Sequence, residues 1–405
     1  MASTTTEAVM NLINKIFVTI LITYVFWFQY VFHEVSGVLP ICGAILIFCN
    51  IFTLQKNVLK ITRSSYLGIM IVILIIIAVS LVVTEHKDFS SEITKNLIEY
   101  VVVAAALYLF IIDNKESLTF TLSLICIVIT ALAISNIIQG TESYIGAVGI
   151  EGLNTNLMSS TFFLGFYSIF MLFHRKQGIP KFILIVCLAI IGFAQIMAAS
   201  RRGFIVLLLF TALYLIYAAF IINNRSMSAK DILSGMIITL ILIIAAIVLM
   251  NYVMNHTVLG LRLSGQFDSG DIARDYLKQN AIELFKEHPF AGVGINGFAY
   301  FNYEHLYTHS FFYELLSCTG LCGTLSMLIY IYVLIKKFWK AGSSRTIDQK
   351  CLQVNEISSL RINFIFIICI LITGLAVVMW YDFYFYIFIA LIAASYDEIK
   401  EPRES

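Results

Sequence analysis

The chain has 405 residues, 60% of them hydrophobic and only 13% charged, with a formal net charge of +1. A soluble protein carries about 25% charged residues, and a near-neutral balance excludes a general surface for nucleic acid or another polyanion. A mean hydropathy of +0.90, with apolar runs that repeat at the length needed for a bilayer core of about 30 Å, predicts an all-α polytopic membrane protein.

In chain order the apolar runs predict about twelve spans, each long enough to cross the hydrocarbon: 13–32, 37–54, 66–83, 97–112, 118–138, 157–173, 182–199, 203–222, 232–253, 311–335, 362–379 and 383–397. The first 15 residues lack a cleavable signal pattern, so the first span is expected to remain as an anchor. Alternation puts the segments around 55–65, 113–117, 174–181, 223–231 and 336–361 on one side with both termini. That side holds 18 of the 26 Lys and Arg. Basic excess marks the cytoplasmic side. Both termini are therefore expected inside, and the polar segment 255–310 outside. The chain is expected to form a single polytopic domain, 1–405, with 255–310 as a large extracytoplasmic loop carrying part of the site.

Within that loop, 271–287 predicts an amphipathic helix whose apolar positions are Ile272, Tyr276, Ile282 and Phe285, with Leu277 and Leu284. Asp271 is its expected N-cap, and Pro289 its stop, because the residue before proline disfavours helical backbone. Its simplest placement is on the membrane surface. The second outer loop, 139–156, is rich in Gly and Thr. The eight cysteines lie mostly inside apolar segments and show neither zinc nor redox spacing. No metal and no cofactor are expected.

Three places carry chemistry. Arg201 and Arg202 stand in a short outer turn, Ser200-Arg201-Arg202-Gly203-Phe204, against the topological preference for basic residues inside. Guanidinium groups beside a helix N-terminus suit phosphate, and spacing does not distinguish the two. His309 closes the polar segment and is the candidate general base or hydroxyl positioner. Glu314 lies in the apolar run that follows, where a carboxylate needs a partner or a wet cavity; the expected roles are to pair with an arginine or to orient His309. Gly292-Val293-Gly294-Ile295-Asn296-Gly297 fits a dinucleotide fingerprint, but no βαβ context surrounds it. Its glycines instead predict a tight turn close to a ligand or a helix end.

Together these residues resemble the O-antigen ligase and polymerase superfamily of bacterial membrane glycosyltransferases. Ser200-Arg201-Arg202-Gly203-Phe204 looks like its Ser-Arg-basic-Gly turn. Arg274 to Tyr276, followed by His288-Pro289-Phe290-Ala291-Gly292-Val293-Gly294, looks like its arginine, helix and His-Pro-x-x-Gly-x-Gly stretch. His309-Ser310 with Gly320 and Gly323 looks like its His-Asn motif and G-x-x-G helix, with Ser310 where the family has asparagine.

The resemblance implies a GT-C-like membrane fold and a donor glycan on polyprenyl (undecaprenyl) diphosphate. It implies Arg201, Arg274 and Arg202 on the diphosphate and His309 at the acceptor hydroxyl. Ser310, Glu314, Gly292 and Gly294 would support them. The Ser-Arg-Arg-Gly-Phe form and Glu314 look more like the repeat-unit polymerases of capsule, O-antigen or exopolysaccharide synthesis. Ligation to a lipid A core or cell-wall acceptor is the alternative. A lipid-glycan flippase or transporter is the alternative of another class. The implied place is the bacterial plasma membrane, with a chain-length regulator and a flippase as partners and no nucleic acid.

Overall fold

The computed structural model describes residues 2–28, 41–46, 64–113, 115–139, 141–142, 148–149, 155–175, 178–221, 244, 247–248, 250–264, 269–302, 305–343 and 354–400. These residues are almost wholly helical. The helices are α1 Ala2–Thr23, which runs on as a π-turn Tyr24–Phe28; α2 Ser65–Val83; α3 Lys87–Asp113; α4 Lys115–Gln139; α5 Thr155–Phe173; α6 Lys181–Met197; α7 Arg201–Ile221; α8 Val258–Leu263; α9 Ser269–Glu287; α10 Gly297–Phe301; α11 Phe311–Ser343; α12 Val354–Gly374; and α13 Phe383–Lys400. Thr141–Glu142 pairs antiparallel with Val148–Gly149 as a small ribbon inside the predicted 139–156 loop.

Among the described residues five helices are long and apolar enough to cross a membrane, over Val9–Trp27, Ser65–Val83, Ser90–Ile112, Glu116–Ile138 and Phe311–Lys340. Shorter apolar helices cover Leu157–Phe173, Lys181–Met197, Ser359–Gly374 and Phe383–Asp397. They coincide with predicted spans, but the count of twelve does not follow from them. Predicted spans 37–54 and 232–253 lie largely outside the described residues. The predicted span 362–379 ends early, at Gly374, where Leu375 and Ala376 amides turn back onto the Ile372 and Thr373 carbonyls.

The helices show two kinds of surface. Leu74, Leu81, Phe182 and Ile185 leave more than half of their surface exposed, as lipid-facing side chains do. α13 is the reverse: Phe383 to Tyr396 is buried almost without interruption. Ser395 on this helix is bonded inside the bundle. Asn363 on α12 accepts from Tyr167 Oη on α5 (2.7 Å) and donates to Ser395 Oγ on α13 (2.6 Å). Such bonds hold helices together where burial of apolar area supplies little drive.

The helix predicted at 271–287 starts two residues earlier, at Ser269, so Asp271 lies within it and is not its cap; it ends at Glu287, ahead of Pro289. It does not lie alone on a surface. Leu277, Ala281 and Leu284, at i, i+4 and i+7, form its buried stripe and pack with Val293, Phe298 and Cys318. Tyr276, expected among its apolar contacts, is 62% exposed.

α11 is broken inside its span. Gly320 takes φ 57° and ψ −157°, which frees backbone groups at membrane depth. The His-Pro-x-x-Gly-x-Gly turn satisfies them. Val293 and Gly294 amides donate to the Ser317 and Cys318 carbonyls at 3.1 and 2.9 Å. Leu321 and Cys322 amides donate to the Pro289 and Phe290 carbonyls at 2.8 and 3.0 Å. Broken helix and turn thus repair each other, as non-helical backbone in a membrane requires.

The two glycines permit this approach. A Cβ on Gly292 (φ 66°) would stand 2.4 Å from the Cys318 carbonyl carbon, and one on Gly294 (φ 90°) 1.9 Å from Thr84 Oγ1. Gly292→Ala is expected to destabilise the detergent-solubilised protein by about 1–3 kcal/mol, the cost of a strained backbone held in place. Gly192→Ala, whose Cβ would meet only Phe166 Cζ at 3.8 Å, should leave the melting temperature near wild type. Equal melting temperatures for the two variants would remove the turn's structural role.

Candidate functional site

α6 ends at Met197, and Ala199 takes a left-handed φ of 49° before Ser200. That reversal starts α7 with Arg201 and Arg202 in its first turn, and the Ser200 hydroxyl accepts from the Gly203 amide at 3.3 Å. Gly203 is close-packed: a Cβ there would fall 1.6 Å from Ser159 Oγ. Arg201 Nη1 donates to the Arg262 carbonyl (3.3 Å), and Arg262 Nη1 donates to the Ala199 carbonyl (2.8 Å). The α6–α7 turn and α8 are therefore latched to each other by two arginines. Arg202 turns the other way and donates to the Ala376 carbonyl, in the turn that follows α12.

Arg274 enters from the first half of α9, which the Leu277-Ala281-Leu284 stripe docks in place. Arg262 is held below the usual guanidinium value, first by burial and then by the positive charges of Arg201 and Arg274. Gathering like charges is unfavourable, and an anion among them relieves it.

His309 lies within electrostatic range of Arg274 and Arg202. It too is left-handed, with φ 56°, and its ring lies 4.5 Å from that of Tyr307. Its pKa is lowered to about 4, first by burial and then by Arg274 and Arg202. The imidazole is thus neutral at physiological pH, with a lone pair available. Left-handed backbone at Ala199 and His309 costs energy that the surroundings must hold, and such strain collects at functional sites.

The turn that carries His309 is built from buried hydrogen bonds. Thr308 N–H donates to Glu314 Oε2 (2.8 Å), Thr308 Oγ1 donates to the Ser310 carbonyl (2.9 Å), and Ser310 N–H donates to Thr308 Oγ1 (3.3 Å). Ser310 is buried, and its hydroxyl reaches the Gly374 carbonyl at 3.5 Å. It faces the end of α12.

Glu314 is fully buried. Its partners are the Thr308 amide, Tyr381 Oη at 3.1 Å and Cys318 Sγ at 3.4 Å. The expected pairing with an arginine is replaced by this network. The carboxylate shapes the histidine's turn through its neighbour. Gly292 and Gly294 serve the helix break, close against Cys318 and Thr84. His288 is exposed and takes part through its backbone, accepting from the Gly292 amide.

Four residues of this site escaped the sequence-derived set. Arg262 stood among the basic residues of the 255–310 segment without a sign that it joined Arg201. Tyr307 gave no signal. Tyr381 and Asp382 fell in what read only as a separator between two spans. Asp382 lies where its charge acts on Tyr307, together with Glu314 and Arg202; burial pushes its own carboxyl up to about 7. A carboxylate at a span boundary was the signal available.

Lipid-facing helices around a buried, hydrogen-bonded interior, with arginines and a histidine gathered where helices end, define a multi-pass membrane protein. Residues 185–328 match a family model described as O-antigen ligase. The matched stretch contains Arg201, Arg202, Arg262, Arg274, the Gly292–Gly294 turn, His309 and Glu314. That stretch of the chain is similar to the O-antigen ligase family. No curated protein matches the chain.

Proposed function

We propose that the protein polymerises oligosaccharide repeat units carried on polyprenyl diphosphate, at the outer face of the bacterial plasma membrane. The observation that carries this reading is a neutral His309 within electrostatic range of Arg274 and Arg202, with Arg274 also acting on the Arg262 that is bonded to Arg201. A diphosphate leaves readily once its developing negative charge is offset, and guanidinium groups do this by bidentate hydrogen bonds. The reading is therefore metal-independent. His309 receives the acceptor hydroxyl. That oxygen attacks the anomeric carbon, the bond from that carbon to the diphosphate breaks, the diphosphate leaves with the electron pair, and the hydroxyl proton passes to His309 or water. A single displacement inverts the anomeric configuration. Arg274 and Arg202 depress the histidine's basicity before donor binds; the bound diphosphate offsets them and restores it.

Reconstitution with a lipid-linked repeat unit tests the reading. A ladder of lengthening products, unchanged by chelators, is the expected result. A single transfer to a lipid A core or wall acceptor would favour ligation, the second reading, which the description of the matching family favours. Movement of lipid-linked glycan without a new glycosidic bond would replace both with transport.

Orientation follows from the charge count, with both termini cytoplasmic and 255–310 outside, in a GT-C-like arrangement of about twelve spans. Tyr276 is exposed on α9. Tyr276→Cys is expected to react in intact cells with a membrane-impermeant thiol reagent, above the background of the native cysteines. Reaction only after permeabilisation would reverse the topology and separate the site from its substrate.

A further inference from the structure

The segment 374–382, which joins α12 to α13, touches three separate parts of the site. The Gly374 carbonyl faces Ser310 Oγ, beside His309. The Ala376 carbonyl accepts from Arg202. Tyr381 Oη accepts from the Asn296 amide at 2.9 Å and stands 3.1 Å from Glu314 Oε1 and 3.8 Å from Cys318 Sγ. The Asn296 amide can only donate, and of the two acceptors the carboxylate oxygen is nearer and stronger than the Cys318 sulfur, so the hydroxyl's own proton goes to Glu314. Glu314 in turn receives the Thr308 amide through its other oxygen.

The chain of bonds therefore runs from Asn296 through Tyr381 and Glu314 to Thr308, the residue before His309. Both ends of it are residues beside strained backbone or in it, since Asn296 has φ 57° and His309 φ 56°. Tyr386 Oη, bonded to the Trp380 carbonyl at 2.8 Å, secures the same turn from α13.

We infer that Tyr381 is a positioning residue: its hydroxyl joins the Gly292–Asn296 turn to Glu314, and thereby sets where the His309 imidazole stands relative to the arginines. The inference rests on the transfer reaction proposed above. The relay touches no substrate and acts only through the geometry of the histidine's turn. It links the arginine and histidine halves of the site to one turn, so that the acceptor's partner and the diphosphate's partners keep a fixed separation. Misplacement by about 1 Å can cost 10²-fold in rate, which is the scale on which such a relay matters.

Tyr381→Phe removes only the hydroxyl and keeps the ring. Single-turnover transfer is expected to fall about 10–100-fold, while donor affinity stays within about twofold, because an interaction acting on the chemical step leaves ground-state binding intact. Glu314→Gln should fall similarly, and the double variant no further than the weaker single one, because the two act as one unit. The ¹⁵N and ¹H resonances of the His309 imidazole, assigned against His309→Ala, should shift in Tyr381→Phe, with those of His288 unmoved. Wild-type transfer in Tyr381→Phe, a loss confined to donor affinity, or losses that multiply in the double variant would each overturn the inference. If the wild-type protein itself transfers no glycan, the proposed reaction fails; the imidazole resonances then still decide whether Tyr381 positions His309, with unmoved resonances sinking the relay.

Discussion

His309→Ala is expected to lower turnover by about 10²–10⁴-fold, the usual contribution of a general base, while donor affinity is largely kept. The side chain sits on a turn whose bonds come from Thr308, Ser310 and Glu314 and not from the imidazole. Its removal therefore leaves the turn's framework in place. His309→Gln should retain a little activity, because it can orient a hydroxyl but cannot accept its proton at neutral pH.

The pH profile separates a base from a mere contact. The imidazole's pKa lies at about 4, so the active, unprotonated form persists above that value. In the free enzyme, transfer is expected to be lost as pH falls through about 4, giving the acid limb of kcat/KM. Bound diphosphate adds negative charge beside Arg274 and Arg202, so the limb of kcat should lie at higher pH. The sign for stability follows the same way: the folded protein holds this proton less tightly than the unfolded chain, so stability from this group is lost as pH falls from about 6.5 toward 4. An alanine variant with near-wild-type single-turnover transfer would remove histidine from the mechanism, leaving the arginines alone to account for it.

The second large effect concerns the arginines. Arg274→Ala and Arg201→Ala are each expected to lower transfer about 10²–10³-fold, as loss of a preorganised group at a developing negative charge does. Lysine keeps the charge but not the planar fork, so Arg→Lys should recover only part of the loss. From sequence, Arg202 would be the milder site if it only met lipid headgroups. Its bond to the Ala376 carbonyl turns it inward, and its charge acts on His309 and Tyr307. Arg202→Ala is therefore expected to match Arg201→Ala. Transfer rate and donor affinity, measured together for the four alanine variants including Arg262→Ala, decide this. Near-normal transfer by Arg202→Ala would return it to the membrane surface.

What is local along the chain was legible in its residues alone. Long apolar runs located the helices now seen at Ser65–Val83, Lys115–Gln139 and Phe383–Lys400, because burial in lipid depends on composition over one helix length. Pro289 set the end of α9, and the paired glycines announced a backbone that needed positive φ. The arginine pair and His309 stood out as polar residues at the ends of apolar runs. The tertiary structure alone decided what joins residues far apart in sequence. It latched Arg201 to Arg262 across 61 positions, turned Arg202 to Ala376 across 174, and set Tyr381 against Glu314 across 67. It chose Leu277, Ala281 and Leu284 as the buried face of α9 over Tyr276, and gave Glu314 an amide and a hydroxyl where sequence suggested a cation. The physical reason is that hydropathy reports transfer of a segment into lipid, whereas a hydrogen bond depends on the position of its partner to within a few tenths of an ångström. Only the packed helices fix that position.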